Sequence, residues 1–288
     1  MILRPFEHVA CATLAQAIAA LAEHGDDARV IAGGTALVPL MKHQVIRPGV
    51  LVDIARVPGL AAIEPLPDGG VRVGALVTHQ DVARSPVVRE RSPLLAASCG
   101  RVASPAIRAM GTLGGNLCYG ESASDPAPAL LALRASVRLA GPEGERVLPL
   151  DRFFTGIYET ALGAGEILVA VDVPPLPAGA RTRYLKWTPR AAEDKALVGL
   201  AAAVVLDAAR TCRTARLGLG GVGPSPVVLR AAEGVLEGQR LNDAMIARAA
   251  DAAAGEVEPI DDLQATAEYR RDMVRVWVRR VVSELAAA

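Results

Sequence analysis

Apolar positions recur along this chain with two periods. Near the N-terminus Leu14, Ile18 and Leu21 fall on one helical face, Thr13 with Gln16 three residues later forms a capping box, and Gly25 marks the stop. Arg29 to Ala32 reads as a buried strand that ends in Gly33-Gly34-Thr35. A helical pattern restarts near Ala36 with Pro39 in its first turn, and Leu51 to Ile54 reads as another strand. This alternation of strand, turn, helix and strand predicts a small parallel sheet.

From Ala61 the texture changes. Short β-rich runs at 71–77, 136–140, 145–150 and 166–173 are separated by turn residues at 67–70 and 141–144, which predicts an antiparallel region. Helical segments near 79–84 and 93–100 interrupt it, with Thr78 as a candidate N-cap. A further apolar helix opens at Pro126, where a proline suits the first turn, and Asp125 just before it suits an N-cap. The run from Pro174 to Gly179 reads as a linker. Beyond it strands are expected near 181–188, 198–207 and 213–219, then a helix capped by Asn242 and carrying Ile246, Ala249, Ala250 and Ala253. A final helix covers about 265–285, with Met273, Trp277 and Val281 on one stripe and Val274, Val278 and Leu285 alongside. Arg270, Arg271, Arg275, Arg279 and Arg280 make it basic, either as a solvated face or as a docking surface for a partner.

Two glycine pairs carry the candidate chemistry. Gly33-Gly34 follows a strand and precedes a helix, and Gly114-Gly115 sits in GTLGGNLCYGESASDPAPALLAL. Glycine reaches φ > 0 and lets a ligand approach bare N–H groups, which at a strand-to-helix turn make an anion site. Taken singly, either pair reads first as a tight turn, because Gly-rich turns are common. Neither matches a P-loop, because no Gly-Lys-Ser/Thr follows the glycines. Gly218, Gly220 and Gly223 have the spacing of a dinucleotide fingerprint, but Pro224 and Pro226 follow at once, so a glycine-rich strand end is expected there.

Composition narrows the classes. With 31 basic and 31 acidic residues the formal net charge is zero, and aromatics make up only 3%, so nothing favours nucleic acid as a partner. Cys11, Cys99, Cys118 and Cys212 are scattered, and His8, His24, His43 and His79 are isolated. The cysteines read as small buried residues and the histidines as surface or structural ones, with no metal site. The N-terminal segment lacks a signal-peptide layout, and no apolar run is long enough to span a bilayer, so a cytoplasmic location is expected.

Read together, AGGTALVPLMK and GTLGGNLCYGESASDPAPALLAL resemble the paired flavin loops of the FAD-binding medium subunit of molybdenum hydroxylases, the group of the carbon monoxide dehydrogenase medium subunit and the xanthine dehydrogenase FAD subunit. VGALVTHQDVARSP, VASPAIRAMGTLGG, YLKWTPRAAEDKALVGLAAAV and ATAEYRRDMVRVWVRRVV extend the similarity essentially end to end.

The resemblance implies an α+β fold: a two-subdomain FAD-binding domain of the vanillyl-alcohol-oxidase (PCMH) type over 1–175 (subdomains about 1–57 and 58–175), then a smaller α/β domain over 176–288 with a three-stranded antiparallel sheet and helices. It implies non-covalent FAD, with Ala32, Gly33, Gly34, Thr35 and Ala36 in the first pyrophosphate loop and Thr112, Leu113, Gly114, Gly115 and Asn116 in the second. Ser124 and Asp125 are expected near the ribityl or ribose hydroxyls, and Lys186 near the isoalloxazine. Gly120-Glu121-Ser122-Ala123 stands where many relatives read A-S-P-A, which adds the charge of Glu121. The segment from Arg190 to Lys195 matches a loop that lies over the flavin in some relatives.

The function implied is electron transfer, from partner iron–sulfur clusters onto FAD and on to NAD, quinone or oxygen. The partners implied are a small [2Fe-2S] subunit and a large molybdopterin subunit, as a dimer of heterotrimers. Peripheral association with a membrane through the complex is compatible with this. A stand-alone FAD-dependent oxidoreductase and a flavin-free scaffold subunit are the alternatives.

Overall fold

The computed structural model describes residues 3–287. The N-terminal part is the expected parallel sheet: β1 (Glu7–Ala10), α1 (Leu14–His24), β2 (Ala28–Ile31), α2 (Leu37–Lys42) and β3 (Val50–Asp53), with strand order β1-β3-β2. The capping box forms as read: the Gln16 amide N–H donates to Thr13 Oγ1 and the Gln16 side chain accepts from the Ala12 N–H. Strand β1 leaves no pattern in the sequence, because Glu7 to Ala10 is too exposed to show a buried run.

An antiparallel five-stranded sheet follows. It comprises β4 (Ile63–Pro65) and β5 (Val71–Gly74). Six helices then intervene: α3 (His79–Arg84), α4 (Pro86–Arg91), α5 (Pro93–Cys99), α6 (Pro105–Met110), α7 (Leu113–Tyr119) and α8 (Pro126–Ala132). The sheet resumes with β6 (Ser136–Gly141) and β7 (Gly144–Pro149). A small hairpin, β8 (Phe154–Gly156) with β9 (Glu159–Thr160), precedes β10 (Ile167–Val173), and the sheet order is β4-β5-β10-β6-β7. Four of the intervening helices carry proline in their first turn. There its missing N–H costs nothing and its fixed φ suits the helix. One sheet face packs with these helices around Leu94, Leu95, Leu130, Leu139 and Phe153; Ala140, Ile167 and Val169 join the core of the parallel sheet.

The C-terminal part is a second antiparallel sheet, β11 (Arg181–Trp187), β12 (Val198–Leu206), β13 (Cys212–Gly220) and β14 (Val227–Val228), covered by α9 (Arg230–Leu236), α10 (Asp243–Gly255) and α11 (Ala267–Ala287). The expected three-stranded sheet therefore has a fourth member. The two residues of β14 are too few to show an alternating pattern. All seven residues of α8 are buried, because this helix is sandwiched between the middle sheet's core and β12–β13. Gly218 and Gly220 are what permit that contact: a Cβ on Gly218 would collide with the Pro128 carbonyl, and one on Gly220 would lie 2.8 Å from the Ser122 carbonyl oxygen. Their fingerprint spacing thus reflects helix packing.

Among the described residues no helix is long and apolar enough to cross a membrane, and no group of three or more His, Cys, Asp or Glu is placed to hold a metal ion.

Candidate functional site: two loops and a buried ion pair

The first glycine loop leaves the carboxyl end of β2, the edge where open α/β sheets place ligands. Gly34 adopts φ 67°, a left-handed conformation that glycine reaches without a Cβ penalty. Gly33 has a different reason to be glycine, since a Cβ there would collide with the Met110 carbonyl. The loop is thereby docked on the end of α6. The five residues Ala32 to Ala36 are half-buried, and none of their backbone N–H groups donates to another group among the described residues.

The second glycine pair behaves differently from the expectation of a loop with open amides. Leu113 to Asn116 form the first turn of α7, capped by Thr112, whose Oγ1 accepts from the Gly115 N–H at 3.1 Å. The Leu113 and Gly114 N–H groups donate to the Val77 and Ala75 carbonyls, both at 2.9 Å. Gly114 is buried, and a Cβ there would come within 2.6 Å of that of Ala75; Gly115 is exposed. So Gly114 serves close packing, and the second pair supplies a wall where free donors were expected. The helices α2 and α7 hold six and seven residues, too short for a strong macrodipole.

The structure brings the two stretches together. Thr78 and Thr112 form an antiparallel bridge, and the His79 N–H donates to the Gly111 carbonyl at 3.0 Å. A Cβ on Gly111 would lie 3.2 Å from both Thr35 Oγ1 and His79 Cδ2. One turn along α7, Asn116 Oδ1 accepts from Ser124 Oγ at 2.6 Å.

Asp125 is neither the N-cap nor the free, ligand-facing carboxylate that the sequence suggests. It makes no cap bond; the hydroxyl of Ser124 accepts from the Ala127 N–H in its place. The Asp125 carboxylate is instead fully engaged: Tyr184 Oη donates to Oδ1 at 2.5 Å and Lys186 Nζ to Oδ2 at 2.9 Å. Lys186 Nζ also donates to the Arg101 carbonyl at 3.0 Å. Burial pushes the Asp125 carboxyl above its usual range, and Lys186, the Tyr184 hydroxyl and Arg101 pull it back. Tyr184 rises well above an ordinary phenol through burial and the Asp125 charge. Lys186 is thus a pinned cation.

Glu121 does not stand as a free charge. It pairs with Lys195 and accepts from Tyr158 Oη at 3.0 Å, tying the 190–195 segment to the end of α7. Asp194 closes that segment on itself, accepting from Arg190 Nε at 3.2 Å. Trp187 packs against Trp277, ring centroids 5.9 Å apart, within the C-terminal core. The basic face of α11 is also less uniform than read. Arg270 is buried, donating to the Leu197 and Gly221 carbonyls and to Asp262.

Comparison with known proteins places this geometry. Residues 4–176 match the FAD binding domain in molybdopterin dehydrogenase, and residues 183–285 the CO dehydrogenase flavoprotein C-terminal domain. The chain belongs to the FAD-binding medium-subunit family of molybdenum hydroxylases. It is 35% identical over 279 residues to the 6-hydroxypseudooxynicotine dehydrogenase complex subunit alpha of Paenarthrobacter nicotinovorans, covering 97% of this chain and 94% of that one. The carbon monoxide dehydrogenase medium chain of Hydrogenophaga pseudoflava is 34% identical, with 96% of each chain covered. A solved structure of carbon monoxide dehydrogenase from the latter organism superposes with a TM-score of 0.96 at 35% identity, over 100% of this chain and 99% of that one. The relatives are dehydrogenase subunits, and the fold is theirs.

Tyr184, which shares the Asp125 carboxylate with Lys186, and His79, which borders Gly111, are not selected by the sequence reading. A signal existed for Tyr184: it lies two residues before Lys186 on one strand, hence on the same face.

Proposed function

We propose that this chain is the electron-transfer subunit of a molybdenum-containing dehydrogenase, receiving electrons from iron–sulfur clusters of a small [2Fe-2S] partner and delivering them to NAD, quinone or oxygen. When bound, FAD supplies the capacity to accept and release these electrons; substrate oxidation belongs to a large molybdopterin partner. The observation that carries the reading is the run of five amides from Ala32 to Ala36 without a partner among the described residues, docked on the segment that leads into α7. Buried amides are ordinarily paired, and a row of half-buried donors suits a pyrophosphate.

In this reading Ala32, Gly33, Gly34, Thr35 and Ala36 donate to the pyrophosphate. Thr112, Leu113, Gly114, Gly115 and Asn116 form the opposite wall, of which only Gly115 and Asn116 reach the surface, their N–H groups engaged within the turn. Ser124, held by Asn116, lies on the path toward Asp125 and Lys186. There the fixed ammonium has one N–H beyond the two it donates to Arg101 and Asp125, and its positive charge would favour added electron density on a bound flavin. The residues present therefore fit FAD, with 1–57 and 58–175 as the two halves of its domain and 176–288 as the cover. The assembly is a dimer of heterotrimers located in the cytoplasm, with any membrane contact made through the complex.

The test is flavin released by acid from gently purified protein. One FAD per chain supports the reading; protein that is flavin-free and takes up none on incubation overturns it.

A further inference from the structure

His79 is the first residue of α3, is 2% exposed, and faces the junction of the two loops. Its Nδ1 is enclosed with no hydrogen-bond partner, and Nε2 has no protein partner among the described residues. A neutral imidazole must carry its proton on one nitrogen and present a lone pair on the other. Nδ1 is thus unsatisfied in a place where that is costly, while Nε2, bonded to the Cδ2 that borders Gly111, lacks a protein partner without being enclosed in the same way. The ring borders Gly111, and Thr35 of the open-amide loop borders Gly111 from its own side.

We propose that His79 is a binding residue of the dinucleotide site, its Nε2–H donating to a phosphate-type oxygen of the ligand held by the Ala32–Ala36 amides. This rests on the FAD reading above and adds to it a donor that comes from neither glycine loop. Burial and the nearby Arg108 hold the imidazole down to about 4, so it is neutral at physiological pH and acts as a dipolar donor, not as a cation. Arg108 itself is anchored to the Val102 and Ala103 carbonyls at 2.8 and 2.7 Å.

The experiment compares the full-length wild type with His79→Phe, which keeps a flat ring without polar atoms, and His79→Gln, which restores a donor. Each is titrated with FAD and with ADP, the latter offering a pyrophosphate without the flavin, and the melting temperature of each apoprotein is recorded. The expected result is a roughly ten- to hundredfold weaker affinity of His79→Phe for both ligands, the loss of one hydrogen bond to a charged acceptor. His79→Gln regains part of it, and the His79→Phe apoprotein melts no lower than wild type, because an unsatisfied polar group has been removed. Equal affinities in wild type and His79→Phe overturn the inference and leave the FAD reading standing. A wild type that binds neither ligand overturns both. Should His79→Phe fail to fold, 15N-histidine-labelled wild type decides: the His79 ring nitrogens shift on adding ADP if the bond forms, and stay in place if it does not.

Discussion

Lys186 Nζ lies 2.9 Å from Asp125 Oδ2, with only 1% and 6% of the two side chains exposed, joining β11 of the C-terminal sheet to the start of α8. The pair therefore links the two halves of the chain, and Tyr184 fills the other carboxylate oxygen. Breaking a buried pair from one side leaves an uncompensated charge and costs about 3–5 kcal/mol. Asp125→Asn and Lys186→Met should each lose about that much in urea denaturation, and the double variant clearly less than their sum. A strictly additive double variant would mean that the pair does not act as a unit.

Gly114 has a packing role, with Ala75 against it, so its replacement acts on the fold before it acts on any ligand. Gly114→Ala should destabilise the apoprotein by about 1–3 kcal/mol, the usual cost of overpacking. Gly115→Ala, at an exposed position of the same turn, should cost less. Denaturant midpoints of the two apoproteins measure this, and equal midpoints would contradict the close approach of α7 to Ala75.

His79 gives an acid-side signature. Its folded value of about 4 lies below the unfolded value near 6.5. The unfolded chain thus binds the extra proton first, and stability falls as pH drops from about 6.5 to about 4. The linkage is about 3 kcal/mol at most. The stability of the His79→Phe variant should vary less across this window. Identical pH profiles for the two proteins would show that the ring is not buried neutral.

The ion pair of Lys195 with Glu121 fastens the 190–195 segment to the end of α7. Lys195→Ala should speed hydrogen exchange of amides in that segment while changing global stability by less than about 1 kcal/mol, since Lys195 is largely exposed. Unchanged exchange would show that Arg190 with Asp194 suffices to hold the segment.

Much of the fold is legible in the chain, for local reasons. The Thr13–Gln16 box, the Asn242 cap and the Pro126 start are decided within a few residues, and each forms as read apart from the residue that caps α8. The short β1 and β14 escape because two to four partly exposed residues carry no period. The site was legible as two stretches, but the work each does was not. Whether a glycine is there for a ligand or for a neighbour depends on what lies against it: the Met110 carbonyl for Gly33, Ala75 for Gly114. In the same way, Asp125 beside Pro126 has the local signature of a cap, and only the sheet brought against it from 59 and 61 residues away, with Tyr184 and Lys186, claims its carboxylate.

The most direct test of the central claim is a visible spectrum of the tagged protein purified gently from its native host. Flavin bands over broad iron–sulfur absorption, with two further polypeptides in fixed proportion, are the result expected of an electron-transfer subunit. Flavin bands on a single polypeptide would contradict that role and point to a stand-alone flavoenzyme, and a colourless protein would contradict flavin binding itself.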